Sequence, residues 1–177
     1  MSFSYNSCQQ ISLWDSANNL TAREHRFLQK SWAIPFAEKI FPAIDETPYA
    51  ILYSEKNSRP NTPVNVIIGA LILKEMNGLT DEGLLNSLIF DIRYQVALHT
   101  TSCAEQPISD RTLSRFRERC LNYQRETGMD LLHDTMRDLA GVLADLMHTD
   151  RTLLRMDSVM IESNIRRLSR LELVYTC

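Results

Sequence analysis

The sequence predicts a mainly α-helical protein, and three observations support this fold class. Glycine and proline are rare, with 5 and 6 among 177 residues, so few positions interrupt a helix. Helix-capping residues recur between residues 20 and 130, and no segment alternates strongly between apolar and polar residues before residue 151. We expect a multi-helix domain over residues 20–149 that contains a helix-turn-helix-like pair, followed by one strand and one helix.

The first helices are predicted from their start signals. Thr21-Ala22-Arg23-Glu24 is a capping box and begins a helix that should reach about Trp32. Pro35 is expected to begin a short helix that ends near Phe41 and Pro42.

Two threonine–proline pairs, Thr47-Pro48 and Thr62-Pro63, place a capping residue before a proline at the first helical position. The segment after Thr62 is apolar on every side, which is typical of a helix buried by its neighbours. It should end at Asn77-Gly78 in a left-handed cap.

The next helix should begin after Thr80 and run to about Val96. Asp81 and Glu82 in its first turn are favourable near the positive end of the helix dipole. Its apolar face has helical spacing and consists of Leu85, Leu88, Ile89, Ile92 and Val96. A loop over about residues 100–108 follows.

Ser109 is predicted to cap a helix that extends to about Asn122. Its inner face would contain Leu113, Phe116, Cys120 and Tyr123, and its outer face Arg111, Arg115, Glu118 and Asn122. With the preceding helix it is expected to form the helix-turn-helix-like pair.

The charge of residues 110–125 differs from that of the whole chain. The chain has 22 acidic and 19 basic residues, a formal net charge of −3, so it is not polycationic as a whole. This segment has an excess of arginine, with Arg111, Arg115, Arg117, Arg119 and Arg125 against Asp110 and Glu118. Arginines and hydroxyls near a helix start can hold phosphates and base edges. The helix therefore either contacts DNA or presents an ordinary solvated face.

Thr127 is predicted to cap the longest helix, which should reach about His148. Its apolar residues are separated alternately by four and three positions, in the order Leu132, Met136, Leu139, Leu143 and Leu146. This seam packs either inside the domain or against a second copy.

Several function classes are excluded by composition and motifs. The longest apolar stretch, residues 66–73, is shorter than the roughly 20 residues of a membrane span, and residues 1–13 lack signal-peptide features. We therefore expect a cytoplasmic protein whose four scattered cysteines are free thiols. Nucleotide-binding loops, the serine-hydrolase elbow and the zinc-protease motif are absent, and His99 with Cys103 is too few ligands for zinc.

The pattern changes at residue 151. A strand is predicted over residues 152–161, and Asp157 within it is either a ligand for Mg²⁺ or a turn or capping residue. A basic helix follows and carries Arg166, Arg167 and Arg170. Because one strand cannot pair both edges or bury both faces, residues 150–177 are predicted to be the first fragment of a second domain.

Several motifs in combination resemble the N-terminal domain of InsH-type transposases of bacterial insertion sequences. They are Arg59-Pro60-Asn61-Thr62-Pro63-Val64, Gly78-Leu79-Thr80-Asp81, Phe90-Asp91-Ile92-Arg93 and the segment 109–117. Arg155-Met156-Asp157-Ser158, followed by residues 163–166 and 168–170, is similar to the place where these transposases begin their DDE catalytic domain. The resemblance covers roughly residues 20–177.

The resemblance implies a role in DNA transposition and recombination. The family cuts and rejoins DNA at element ends, using an RNase H-like domain with three acidic residues and two Mg²⁺ ions. Asp157 matches the first catalytic acid and metal ligand, and the other two acids have no counterpart before Cys177. The implied organisation is an N-terminal tail at 1–19, a helical domain at 20–149 and the truncated start of the catalytic domain at 150–177.

The resulting prediction is a truncated transposase that binds DNA at terminal repeats but is catalytically incomplete alone, with no cofactor of its own. The proposed DNA contacts are Arg111, Thr112, Arg115, Arg117, Arg119, Arg166, Arg167 and Arg170. One alternative is a helical interaction module that pairs with full-length transposase through the 132–146 seam and inhibits it, or that pairs with itself. A second is a split enzyme whose missing carboxylates come from another chain.

Overall fold

The computed structural model describes residues 1–6, 15–54, 60–103 and 106–146, with side chains as far as residue 142. The described residues are mainly α-helical, which confirms the predicted fold class. Within these ranges the only β-type pairings are two isolated bridges, from Ser2 to Ser54 and to Pro60. The strand and helix predicted after residue 151 lie outside the described residues.

The α-helices are α1 (Ala22–Gln29), α2 (Ala33–Pro35), α3 (Val64–Met76), α4 (Asp81–Phe90), α5 (Ile92–Ala97), α6 (Asp110–Thr127) and α7 (Leu131–Leu146). A π turn, Phe36–Ile40, and a 3-10 turn, Phe41–Ala43, continue α2, and further 3-10 helices span Ser16–Asn19 and Thr47–Leu52. In the described part of the chain, no helix has both the length and the apolar character that crossing a membrane requires.

Three predicted helix starts are confirmed by hydrogen bonds of the capping side chains. Thr21 forms the expected capping box before α1, and the hydroxyl of Thr80 accepts a bond from the third residue of α4 at 3.0 Å. Ser109 caps α6 in a second capping box with Thr112. The predicted end of α3 is also confirmed, because Gly78 adopts a φ of 60° there.

The predicted caps at Thr47 and Thr62 are wrong, and the start of α3 is capped from elsewhere. Thr47 lies inside a 3-10 helix, and the hydroxyl of Thr62 donates to the carbonyl of Pro107 at 3.1 Å. The carboxylate of Glu46 instead accepts the backbone N–H groups of Val64 at 2.9 Å and Asn65 at 3.3 Å. Glu46 is only 8% exposed, so these bonds also satisfy a buried charge.

The helix predicted from Thr80 to Val96 is divided at Asp91. This residue has extended backbone angles, and its carboxylate accepts the backbone N–H of Arg93 at 2.9 Å. An aspartate that caps a new helix competes with continuation of the old one, which explains the break. α6 packs against α4, from which α5 and residues 98–109 separate it in the sequence, and the helix-turn-helix-like pair stays a prediction.

The boundary between α6 and α7 also differs from the prediction. α6 continues to Thr127, whose hydroxyl donates back to the carbonyl of Tyr123, and ends at Gly128 with φ of 76°. Thr127 therefore does not cap α7. Asp130 does, because its carboxylate accepts the backbone N–H of His133 at 3.0 Å.

The core surrounds α3 and the inner face of α6. Val64, Ile68 and Leu73 of α3 are fully buried, as its apolar sequence predicted, and so is Leu113 of α6. Tyr49 has no exposed surface, and its hydroxyl bonds to the carbonyl of Leu131 and the hydroxyl of Thr135, which attaches α7 to this core.

The described part of the α7 seam packs inside the domain. Leu139 is 4% exposed and Leu132 packs against the core, whereas Met136 is 37% exposed. The side chains of Leu143 and Leu146 are outside the described part. Leu139 is therefore committed to the core of the domain, and pairing of the seam with a second copy stays a prediction.

Replacement of the buried cap should destabilise the fold. We expect Glu46→Ala to lower the free energy of unfolding by about 1–3 kcal/mol, because three backbone N–H groups, those of Asn6, Val64 and Asn65, lose their acceptor. Urea denaturation followed by circular dichroism measures this. Glu38→Ala, at an exposed position, is the matched control. Equal unfolding midpoints for the two variants would contradict the capping role of Glu46.

Candidate nucleic-acid interface

The outer face of α6 carries three arginines in one line. Arg111, Arg115 and Arg119 are four residues apart, so their side chains lie on the same side of the helix. The opposite side is held in the core by Leu113 and Phe116, which fixes the rotation of α6 about its axis.

These arginines form one side of a groove of about 660 Å³, which we call the arginine groove. It is defined by Arg111, Arg115 and Arg119 on one side and by Met1, Tyr53, Pro60, Asn61 and Thr62 on the other, with Ser109 and Thr112 at one end. No carboxylate is among the described residues that line it. The charged side chains in its described lining are therefore all arginines.

The wall opposite α6 is built partly by the N-terminal segment, residues 1–6. The backbone N–H groups of Ser54 and Asn61 donate to the carbonyls of Met1 and Ser2, both at 3.1 Å. The side chain of Asn61 accepts the N–H of Ser4 at 2.7 Å. Residues assigned from sequence to a tail thus lie against the domain and shape the groove.

The three arginines of the groove differ in their partners. Arg111 and Arg115 are exposed and form no ion pair or hydrogen bond with the side chain of any residue that the structure describes. The guanidinium of Arg119 instead lies over the ring of Tyr53, 4.7 Å from its centroid. Burial raises the pKa of the Tyr53 hydroxyl, and the charge of Arg119 partly opposes this.

Arg117 lies outside the groove. Both of its terminal nitrogens donate to the carboxylate of Asp81 at the start of α4, and Lys74 of α3 contacts the same carboxylate at 3.1 Å. The hydrogen bonds from Arg117 are the main cause that holds the pKa of Asp81 well below its usual range; burial opposes them, and Lys74 adds to the lowering. This pair joins α6 to α4 and leaves Arg117 little capacity for another anion.

Thr112 lines the groove but has a local role as well. Its hydroxyl accepts the backbone N–H of Ser109 at 3.3 Å and lies 2.9 Å from the hydroxyl of Ser109. Because Ser109 caps α6 and Thr112 lies in its first turn, both hydroxyls lie at the positive end of the helix dipole, where an anion is favoured.

The other predicted site residues, Asp157, Arg166, Arg167 and Arg170, lie outside the described residues and stay predictions. Across the described ranges, no three His, Cys, Asp or Glu side chains come together as metal ligands would. Sequence reasoning missed Tyr53 and Asn61, which are about 60 positions from α6 and carry no local signal for this contact.

A second cleft, of about 620 Å³, lies between α3, α6 and α7 and is mainly apolar. Leu71, Ile72, Leu121, Leu132 and Met136 line it. Cys120 lies at its base, where burial raises the pKa of the thiol to about 11, so this cysteine stays protonated at neutral pH.

Residues 20–119, more than half of the chain, match the family described as transposase domain DUF772. The matched region contains the arginine face of α6, Tyr53 and Asn61, and it leaves out the N-terminal segment and α7. No curated protein and no solved structure matches the chain.

The ion pair between α4 and α6 should make stability depend on pH. Because the folded-state pKa of Asp81 is depressed, its contribution is present above the unfolded pKa of about 4 and is lost as the pH falls below it. We expect the free energy of unfolding to fall more steeply below about pH 4 in the native protein than in Asp81→Asn. Asp138→Asn, at an exposed position of α7, should keep the native slope. If the free energy of unfolding falls with pH equally in the native protein and in Asp81→Asn, the ion pair does not contribute to stability as proposed.

Proposed function

The chain belongs to the transposase domain family DUF772, and from that membership we propose that its helical domain binds DNA through the arginine groove. The proposed ligand is the DNA at the ends of an insertion sequence, and the process is DNA transposition. The proposal includes a cytoplasmic location, where this DNA would be accessible.

The observation that carries the proposal is the unbalanced charge of the groove. Like charges four residues apart on a helix repel one another. The repulsion among Arg111, Arg115 and Arg119 therefore lowers the stability of the isolated domain. No acidic side chain among the described lining residues compensates them. A bound anion with repeated charges, such as a phosphodiester backbone, would do so.

The spacing and chemistry of the groove fit a phosphate backbone. Guanidinium groups bind phosphates through paired N–H donors, and backbone contacts of this kind set the position of a protein on DNA without reading its sequence. The start of α6 adds its dipole and the hydroxyls of Ser109 and Thr112. The groove thus supports backbone binding, with strong dependence on salt.

We propose further that the chain is related to the InsH-type transposases, whose N-terminal domain residues 59–64, 78–81, 90–93 and 109–117 resemble. Within this proposal, Arg166, Arg167 and Arg170 provide further contacts to DNA, and Asp157 is the first acid of a catalytic centre. In the complete family enzyme, Mg²⁺ would promote phosphoryl transfer there. One carboxylate cannot hold two divalent ions, so cutting at this centre would require further acidic side chains beside Asp157.

Loss of the two unpartnered arginines should weaken DNA binding. We expect Arg111→Ala/Arg115→Ala to bind a labelled duplex about tenfold more weakly for each lost contact, since a charge-assisted hydrogen bond contributes about 1.5 kcal/mol or more. The slope of log affinity against log salt should fall by about 1.8, or about 0.9 for each phosphate. Fluorescence anisotropy in a potassium chloride series measures both quantities.

The matched control is Arg125→Ala/Arg137→Ala, which removes the same charge from exposed positions outside the groove. It should keep nearly the native affinity and slope. If both double variants lose the same affinity, binding reflects net charge alone and the groove is not the DNA site.

The catalytic part of the proposal has a separate test. The purified chain with Mg²⁺ should bind a duplex carrying element ends but should not nick or join it, and Asp157→Asn should bind equally well. Cleavage that Asp157→Asn abolishes would show that the chain completes its own active site, contrary to the proposal.

A further inference from the structure

Tyr53 lies in the wall of the arginine groove opposite α6 and is held there from two directions. It follows the 3-10 helix Thr47–Leu52 with extended backbone angles, and its ring is half-buried. The ring of Phe3 packs against it at a centroid distance of 5.8 Å. The adjacent Ser54 is bonded to the carbonyl of Met1, so the N-terminal segment restrains the backbone beside Tyr53.

Tyr53 restrains Arg119 through its aromatic ring, whereas Asp81 restrains Arg117 through an ion pair. Asp81 accepts hydrogen bonds from both terminal nitrogens of Arg117 and neutralises its charge. Tyr53 contacts the guanidinium of Arg119 through its ring face, at 4.7 Å. A neutral ring, unlike a carboxylate, does not cancel the charge of the guanidinium, so the positive charge stays available to an anion. The guanidinium has two further weak contacts, one with the sulfur of Met1 at 3.9 Å and one with the hydroxyl of Tyr53, whose pKa burial raises and Arg119 partly lowers.

Arg119 therefore differs from its two neighbours in the groove. Arg111 and Arg115 have no described side-chain partner and lose rotamer freedom when they bind an anion. Arg119 has already lost part of that freedom in the folded protein, because the ring fixes its guanidinium. Preorganisation of this kind improves affinity without adding a contact to the ligand.

We propose that Tyr53 is a positioning residue of the DNA site, which holds the guanidinium of Arg119 in place for a backbone phosphate without neutralising its charge. This inference rests on the proposed function of the groove. It assigns to Arg119 the best-ordered phosphate contact of the three, and it makes Tyr53 part of the DNA-binding surface.

The test measures affinity and salt dependence for a fluorescein-labelled duplex of mixed sequence. Tyr53→Phe keeps the ring face and should bind like the native protein. Tyr53→Leu removes it and should bind about two- to fivefold more weakly, the range that an exposed cation–π contact provides. Phe27→Leu is the matched control, because it removes the ring under Arg23, 5.9 Å away on α1 and outside the groove, and should have no effect.

A double-mutant cycle separates positioning from a general structural effect. Arg119→Ala should reduce the salt slope by about 0.9, the value for one phosphate. In that background Tyr53→Leu should cause no further loss, because the residue on which it acts is gone. An equal loss in both backgrounds would overturn the proposal, as would native affinity for Tyr53→Leu. If Tyr53→Leu fails to fold by circular dichroism, Tyr53→Met, which keeps the bulk without a ring, takes its place in the cycle.

The two proposals fail in distinguishable ways. If Arg111→Ala/Arg115→Ala binds like the native protein, the groove is not the DNA site and both are wrong. If that variant is weakened and Tyr53→Leu is not, only the role of Tyr53 is wrong.

Discussion

The buried carboxylate of Glu46 connects the core of the domain to its proposed binding surface. One oxygen accepts two N–H groups at the start of α3, and the other accepts the N–H of Asn6. A charge this deeply buried is tolerated only when it is fully hydrogen-bonded. The same group therefore fixes both where the central helix begins and where the N-terminal segment lies. Because that segment forms a wall of the arginine groove, the shape of the groove depends on a residue that does not line it.

Arginines of one helix serve three different purposes. Arg117 is committed to Asp81 and helps to hold α6 against α4, whereas Arg111 and Arg115 extend from the surface without a described partner. Arg119 is held by an aromatic ring that leaves its charge uncompensated. The rotation of α6, set by Leu113 and Phe116 in the core, decides which of these roles each position takes. Arginine content alone would have assigned all four to DNA.

The features that sequence could predict are those determined within a few residues. The helix caps are Thr21, Thr80 and Ser109, and each accepts the backbone N–H of the residue three positions later. A short sequence pattern is therefore sufficient to predict these helix starts. The apolar sequence of α3 likewise predicted its burial. Glu46 was missed because it caps a helix that begins 18 positions later, around a turn that no local pattern specifies. The sequence predicts Arg117 as a DNA contact, because its partner Asp81 lies 36 residues away and no local pattern indicates the pairing. The sequence predicts a continuous helix through Asp91. Asp91 caps α5 only because the backbone is extended at this residue, and no local pattern specifies that bend.

The position of Met1 has a practical consequence for handling the protein. Its side chain lines the groove and its carbonyl is bonded to Ser54, so any fusion attached ahead of it would emerge next to Arg119. An oligohistidine tag at this end would add titratable groups and a flexible tether at the mouth of the groove. Biochemical work on the native surface is therefore better served by an affinity handle at the opposite terminus, or by one that a protease removes completely.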